Sequence, residues 1–392
     1  MARNVGVVGA GYSDPETFTD FREAGVTRSK EELAHSTIEN TLENADLDMS
    51  AVDATVFTTV DGFEATNRIE RTIDQFGQNR NIPLISVNTG GTGGGSAFKA
   101  AYEQIASGQY DVVLVYASGS FDSAVEGQQI MNTAAPPIFE KPIISAIHMG
   151  ALYASKYMEK HDVTEEDLAL TAAKNYESAS KNPWAHRNKA FSVEEIMNSE
   201  MVAWPLRRLL TCPVSSGGGA MILASEEKTR ELMSEPVWID ATQSITNTFL
   251  TGYRTYENFP KLETLAERVY ENAGIDDPES DIDYVETFNP YIAFELMQYE
   301  SLGFCEPGEG PEYLRSGATE ADGEVPWNMS GGVLCTNSGI CASLSRHIEV
   351  ALQLMGDAGD RQVADPDVGL SHSWGSNLGQ FHTLSVMSKE AN

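Results

Sequence analysis

Residues 87–98 read VNTGGTGGGSAF, with five glycines among positions 90–95 and a helical pattern beginning behind them. Glycines this dense mean that something approaches the backbone closely: a phosphate, a thioester, or only the turn itself. The helix N-terminus would offer N–H groups and a positive dipole end to a carbonyl oxygen or an anion. Thr92 and Ser96 are the nearest hydroxyls, and either needs a base before it can attack a carbonyl. A second chemical feature is basic. Lys174, Lys181, Arg187, Lys189, Arg207 and Arg208 place six of the 26 basic residues in one short stretch of an acidic chain. That excess points to an anionic, phosphate-bearing ligand, with a solvated loop as the plainer alternative. The four cysteines (Cys212, Cys305, Cys335, Cys341) form no CxxC pair, so neither a zinc site nor a disulfide framework is expected, and small buried hydrophobes are the default. In VGAGYSD, Asp14 stands where a dinucleotide fingerprint needs its third glycine, so that reading is set aside.

The elements that would hold these groups alternate between strand and helix. NVGVVGAGY reads as a first strand, and DATVFTTV and DVVLVYASG as further strands, the last one buried. SKEELAHSTIENTLENADL reads as an amphipathic helix, with Ser29 as its N-cap and Glu32 completing a capping box. Such alternation predicts a layered α/β fold. The chain also repeats itself. ENADLDMSAVDATVF (43–57) and ENAGIDDPESDIDYVETF (271–288) each run from a helix end through an acidic turn into a strand. SVNTGGTGGGSAFKAAYEQIASG and PWNMSGGVLCTNSGICASLSRHIEVALQLMG each place an Asn, paired glycines and small residues ahead of a helix. The order of parts matches, so the spacing predicts an internal duplication with halves at 1–225 and 235–392. A helical insertion of about 120–210 interrupts the first half and carries the basic stretch.

With 58 acidic and 26 basic residues in 392, the net charge is −32. That balance argues against nucleic-acid binding. Self-repulsion of this size is tolerable where salt screens it, which points to the cytosol of a halophilic microbe. No run of apolar residues is long enough for a membrane span, and the start lacks the pattern of a secretory signal. The expectation is a cytoplasmic protein.

Duplicated strand, glycine turn and helix units around a long insertion resemble the thiolase superfamily. SGQYDVVLVYASG is similar to the strand after that family's nucleophile helix. The stretch from YMEKHDVTEEDLAL to LLTCPVSSGGGAMILAS resembles its sterol-carrier-protein branch over some seventy residues, and YESLGFCEPGEGPEYL, VPWNMSGG and GDAGDRQV continue the likeness. The resemblance implies a duplicated five-layered αβαβα fold, a homodimer, and coenzyme A thioesters as substrates, with no cofactor or metal of the protein's own. Lys181, Arg187 and Lys189 would then face the nucleotide part of coenzyme A.

Thiolase chemistry at the carbon beside a thioester carbonyl needs a nucleophile, a base and oxyanion donors. Mapped onto this sequence, the nucleophilic cysteine falls at Gly91. In the FNPY loop the family's histidine falls at Phe288 and its phenylalanine at Tyr291. The histidine of its His-Pro-x-Gly loop falls near Ser338, within CTNSGIC, and the second cysteine at His372. All four positions have changed. The oxyanion side then rests on Gly91, Thr92 and Asn289, and the catalytic candidates are His372, Ser96, Tyr291 and His347. His372 suits proton transfer near neutral pH. Tyr291 would be an acid or oxyanion donor, Ser96 a displaced nucleophile, and His347 an inward-facing acid/base group or a satisfied core histidine. Cys335 and Cys341 flank the altered loop.

Three functions follow from the resemblance. One is a thiolase-type acyltransferase, of the acetyl-CoA acetyltransferase or 3-ketoacyl-CoA thiolase class, serving lipid metabolism. Another is a carbon–carbon lyase, a retro-aldolase acting on a 3-hydroxyacyl-CoA without an acyl-enzyme. The last is a non-catalytic acyl-CoA-binding scaffold. Relatives with degenerate sites also imply a separate small partner, an OB-fold and zinc-ribbon subunit.

Overall fold

The first strands form where small and β-branched apolar residues run together, as in VGVVGAGY and ATVFT, whereas later ones carry polar residues, as in VGLSHSWG. The computed structural model describes residues 3–20, 29–58, 82–119, 145–375 and 379–391. Strands β1 (Val5–Tyr12), β2 (Ala54–Thr58), β3 (Leu84–Ser86), β4 (Val112–Gly119) and β7 (Gly217–Ser225) belong to the first half of the chain. β8 (Val237–Thr246), β9 (Tyr284–Glu286), β10 (Val368–Gly375) and β11 (Phe381–Ser388) belong to the second. Between the two sets, β5 (Met201–Ala203) and β6 (Leu206–Arg207) make a separate small hairpin. The nine strands form one sheet in the order β3-β2-β4-β7-β1-β8-β11-β10-β9. Reading outward from the β1–β8 junction, each side has an antiparallel neighbour, a second antiparallel strand, then a parallel one. The junction itself is short, pairing Gly6 with Trp238 and Val7 with Val237.

Both faces of the sheet are covered, which explains the unbroken apolar runs. On β4, Val112, Leu114 and Tyr116 join an outer core with Ile38 and Leu42 of the helix Lys30–Asn44. Val113, Val115 and Ala117 point the other way, onto Phe98, Ala101 and Ile105 of the helix Gly93–Ala106. This glycine helix packs against the helix Cys341–Met355, and both contact strands of each half, making them the middle layer. The helix Pro260–Ala273 buries Leu262, Leu265 and Val269 as the outer cover of the second half. The fold is that of thiolases, as the resemblance implies.

Local signals hold where they were strongest. Ser29 accepts from the Glu32 N–H, and Glu32 returns a carboxylate oxygen to the Ser29 N–H at 2.8 Å. In the insertion, helices occupy Ala146–His161 and Glu165–Ala179, while its residues 120–144 lie outside the described residues. No helix among the described residues is long and apolar enough to cross a membrane.

Candidate active site

The glycine loop meets the second half of the chain backbone to backbone. A Cβ placed on Gly94 would lie 2.6 Å from the Ser343 hydroxyl and 2.7 Å from the Leu344 Cβ, and closer still to the Leu344 nitrogen. One on Gly95 would lie 2.6 Å from the Ser373 Cβ, and one on Gly93 would lie 2.7 Å from Ile340. Gly375, at the end of β10, presses in the same way on the backbone of Gly91 and Thr92. What approaches these glycines is the facing helix and strand. The first N–H groups of the helix are also occupied: Gly93 donates to the Gly90 carbonyl at 2.8 Å and Gly94 to Ser343 Oγ at 2.8 Å. The expected row of open donors is therefore shortened by internal hydrogen bonds.

The two hydroxyls of the loop are engaged as well. Ser96 Oγ shares a 2.8 Å hydrogen bond with Thr89 Oγ1, so it is held by another hydroxyl rather than by a base. Thr92 Oγ1 donates to the Phe381 carbonyl at 3.1 Å and ties the loop to β11.

His372 and His347 lie on opposite faces of β10. Ser371 and Ser373 point toward the middle layer, where their hydroxyls hydrogen-bond His347 Nδ1 (2.6 Å) and Nε2 (3.1 Å). His347 also stacks on Phe98 with ring centroids 4.4 Å apart. Both its nitrogens are occupied and burial pushes its pKa down to about 3, so it is a satisfied core histidine. Strand alternation sends His372 to the other face, beside Trp374. Trp374 packs there on Phe259 and Phe294. His372 is fully buried, and its Nε2 shares a 3.1 Å hydrogen bond with His382 Nδ1. Its Nδ1 has no partner among the described residues. Burial, then His382 and His347, hold its pKa well below the usual histidine range. His372 thus faces away from the glycine helix, whose Gly95 meets Ser373 on the opposite face of β10.

A different cluster does form, between the two altered second-half loops. Tyr291 is buried against Gly150 and Phe294 and bridges to Thr211, while Cys212 N–H donates to the Pro290 carbonyl at 2.8 Å. Asn337, beside Ser338, donates through Nδ2 to Cys212 Sγ at 3.2 Å. The carbonyl of Ser338 abuts Gly119 at the end of β4. Burial and then Cys212 raise the Tyr291 phenol well above its ordinary value, so it stays protonated. Cys212 and Asn337 were absent from the sequence-derived site. Their signal was present, since Asn337 adjoins the altered histidine position and Cys212 sits in the TCPVSSGGG segment that leads into β7.

Asn289 proves to be a structural tie. Its Nδ2 donates to Glu295 at 2.6 Å, and its Oδ1 accepts from the N–H of Val333 at 2.7 Å. Fully buried Glu295 also accepts from Asn328 (2.7 Å) and Tyr299 (2.6 Å), and pairs with Lys174 at 2.6 Å. Lys174 thus leaves the supposed basic surface, because a buried carboxylate captures it. Arg207 pairs with Glu165 at 3.1 Å, and the Arg187 guanidinium donates to Tyr176 Oη (2.9 Å) and the Thr211 carbonyl (2.7 Å). Lys181 and Lys189 remain exposed, the latter over the Phe191 ring. The expected basic face shrinks accordingly. All four cysteines are free thiols, with pKa values raised chiefly by burial, that of Cys341 to about 11. Neither Cys335 nor Cys341 has thiolate character.

Comparison with known proteins agrees with this architecture. The thiolase N-terminal domain model matches residues 15–227, and a model of the thiolase C-terminal domain-like family matches 254–389. An acetyl-CoA acetyltransferase from Methanothermobacter thermautotrophicus is 31% identical over 76% of this chain and 78% of its own. Sterol carrier protein 2 from Bos taurus is 30% identical over 99% of this chain and 73% of its own. Among solved structures, the Ltp2-ChsH2(DUF35) aldolase superposes with a TM-score of 0.81 at 22% identity, covering 98% of this chain and 97% of that one. A monomeric SCP2-thiolase like protein type 1 from Mycobacterium smegmatis gives 0.73 at 18% identity, covering 99% and 77%. Sequence, fold and motif order converge: the chain belongs to the thiolase family.

Proposed function

We propose that this thiolase-family chain acts on a coenzyme A thioester, making or breaking the carbon–carbon bond beside the carbonyl by an aldol-type route without an acyl-enzyme. Gly91 carries this reading: the family's nucleophile position has no side chain, and the neighbouring hydroxyls are engaged by Thr89 and Phe381. Retro-aldol cleavage of a 3-hydroxyacyl thioester needs a base for the hydroxyl proton. It also needs a donor for the thioester oxygen as that atom gains enolate charge. It needs no nucleophile. Tyr291, held protonated by burial, suits the donor; His372 is the candidate base because burial keeps its ring neutral and its Nδ1 has no partner among the described residues. The aldolase description of one structural neighbour supports the reading through fold alone.

Acyl transfer is the second reading. It is favoured by relatives described as acetyl-CoA acetyltransferase and as benzoylsuccinyl-CoA thiolase subunit BbsB, and it would require a displaced nucleophile. We further infer a cytoplasmic homodimer in a salt-rich cell, with halves meeting near residues 225–235. Exposed Lys181 and Lys189 would face the nucleotide, with Arg187 contributing beside them what its bonds to Tyr176 and Thr211 leave free, and a separate small subunit would complete the acyl channel. The ChsH2(DUF35) component in the neighbour's description supports such a hetero-complex.

The test is incubation of the full chain with a 3-hydroxyacyl-CoA and with acetoacetyl-CoA, followed by intact-mass and product analysis. Each reaction is run with and without the small subunit. An aldehyde or ketone plus a shorter thioester, with no protein adduct, is expected. Tyr291→Phe should slow this cleavage about a hundredfold. A stable acetyl adduct mapped to one residue would overturn the aldol reading in favour of acyl transfer.

A further inference from the structure

Of the seven histidines, His347, His372 and His382 are buried. His186, in the NPWAHR segment that follows the helix Glu165–Ala179, keeps partial contact with solvent. That segment is clamped onto the altered second-half loop. Asn182 Nδ2 donates to the Ser330 carbonyl at 2.9 Å, the His186 N–H to Thr336 Oγ1 at 3.0 Å, and the Arg187 N–H to the Cys335 carbonyl at 3.1 Å. The imidazole is fixed at Nδ1, which shares a 2.8 Å hydrogen bond with Ser215 Oγ.

Ser215 ties the ring to the Tyr291 cluster. Its N–H donates to the Asn337 carbonyl at 2.9 Å, and Asn337 is the residue that donates to Cys212 Sγ. A second tie runs through the next residue: the Arg187 guanidinium holds the Thr211 carbonyl, and Thr211 bridges to Tyr291. Ser215 is fully buried, out of reach of a ligand, and serves to hold the ring. A hydrogen bond at Nδ1 sets the tautomer and makes Nε2 the nitrogen that would exchange a proton.

Cleavage beside a thioester leaves an electron pair on the α-carbon, delocalised onto the carbonyl oxygen. The shorter thioester forms only when that carbon takes a proton. Tyr291 is a poor source, because burial raises its phenol well above the ordinary value. It can stabilise the oxygen by hydrogen bonding and still keep its proton. His372, as the base for the hydroxyl, is too deeply buried for direct exchange with water. Protonating the carbon calls for an acid that water can recharge, and a partly exposed imidazole suits that near neutral pH.

We propose, on the enolate chemistry that both readings above share, that His186 protonates the α-carbon of the thioester enolate. In the cleavage direction the base takes the hydroxyl proton, and the O–H pair becomes the new C=O bond. The pair of the breaking carbon–carbon bond passes to the enolate, whose α-carbon takes the proton from His186 Nε2. Water returns a proton to His186 and removes one from the base, so the cycle closes without an oxidant or a reductant.

The test is exchange of the α-hydrogens of acetyl-CoA and propionyl-CoA in heavy water by the full chain, followed by NMR. Exchange forms and quenches the enolate with no carbon–carbon step. His186→Gln should exchange about a hundredfold more slowly, with thioester affinity by calorimetry within about twofold of the parent. His186→Ala should lose as much and recover exchange above the protein-free background when imidazole is added, which a structural role would not allow. Ser215→Ala should fall by only about tenfold, because the ring remains but loses its orientation. Parent-like exchange in His186→Gln, a loss that imidazole does not restore in His186→Ala, or a loss that follows affinity would overturn the proposal and leave the enolate reading in place. No exchange of either thioester by the parent chain would overturn both.

Discussion

Replacing Gly94 with alanine tests the claim that the glycine loop is a packing joint. In a free helix the change would be favourable by up to about 1 kcal/mol, since alanine is the better helix former. Here the new methyl would sit 2.6 Å from Ser343 Oγ and 2.7 Å from the Leu344 Cβ, and would also press on the Leu344 backbone nitrogen. A backbone atom inside a buried helix cannot swing aside as a side chain could. Overpacking of this kind costs roughly 1–3 kcal/mol, and displacement of the 2.8 Å Gly94-to-Ser343 hydrogen bond adds about 1 kcal/mol. Clash and lost bond together outweigh propensity, leaving a net destabilisation of about 2 kcal/mol. Urea unfolding should show a lower midpoint with an unchanged slope. Gly252→Ala is the control, because among the described residues no atom beyond its chain neighbours lies within 4 Å of its would-be Cβ, and it should stay within about 0.5 kcal/mol of the parent. If Gly94→Ala unfolds at the same midpoint as Gly252→Ala, the loop is not a close-packed joint.

Acid should destabilise the protein through its buried histidines. His382 has its pKa pushed down to about 4 and His347 to about 3, mainly by burial. Below pH 6.5 the unfolded chain takes up protons that the folded chain refuses, so stability falls from pH 6.5 to pH 4, with about 3 kcal/mol from His382 alone. Urea midpoints across that range should fall less steeply in His382→Gln. Ser96→Ala should keep turnover within about threefold and lose about 1 kcal/mol, the value of its bond to Thr89; a hundredfold loss in a steady-state assay would restore it as a nucleophile. Glu295→Ala should cost about 3–5 kcal/mol by thermal unfolding, because it strands the buried ammonium of Lys174. Pairing it with Lys174→Met should recover part of that loss.

The sequence carried the framework because its signals there are local. Ser29 and Glu32 cap a helix three residues apart, and β4 is buried at every position because both sheet faces are covered. The face of β10 from which His372 projects was not readable, since Ser371, His372 and Ser373 put polar residues on both sides of a buried strand. Lys174 looked like part of a basic surface because its partner Glu295 lies 121 positions away, on a helix of the other half. The glycines at 93–95 were legible as a demand for space, but the occupants of that space, Ile340, Ser343, Leu344 and Ser373, belong to distant segments. Pairings set by topology were the part that the residues alone left open.

The joint between the glycine helix and the helix Cys341–Met355 also bears on which substitutions the loop can accept. The facing segments lie directly on its backbone, and Gly375 lies against Gly91 and Thr92. A single side chain introduced at Gly93, Gly94 or Gly95 meets backbone or buried side chains of the other half. Accepting one would require smaller residues at Ile340, Leu344 or Ser373 first, changes that open a void in the middle layer while the glycines remain. Each order of steps passes through a less stable intermediate, so the packing holds the loop in its glycine-rich form.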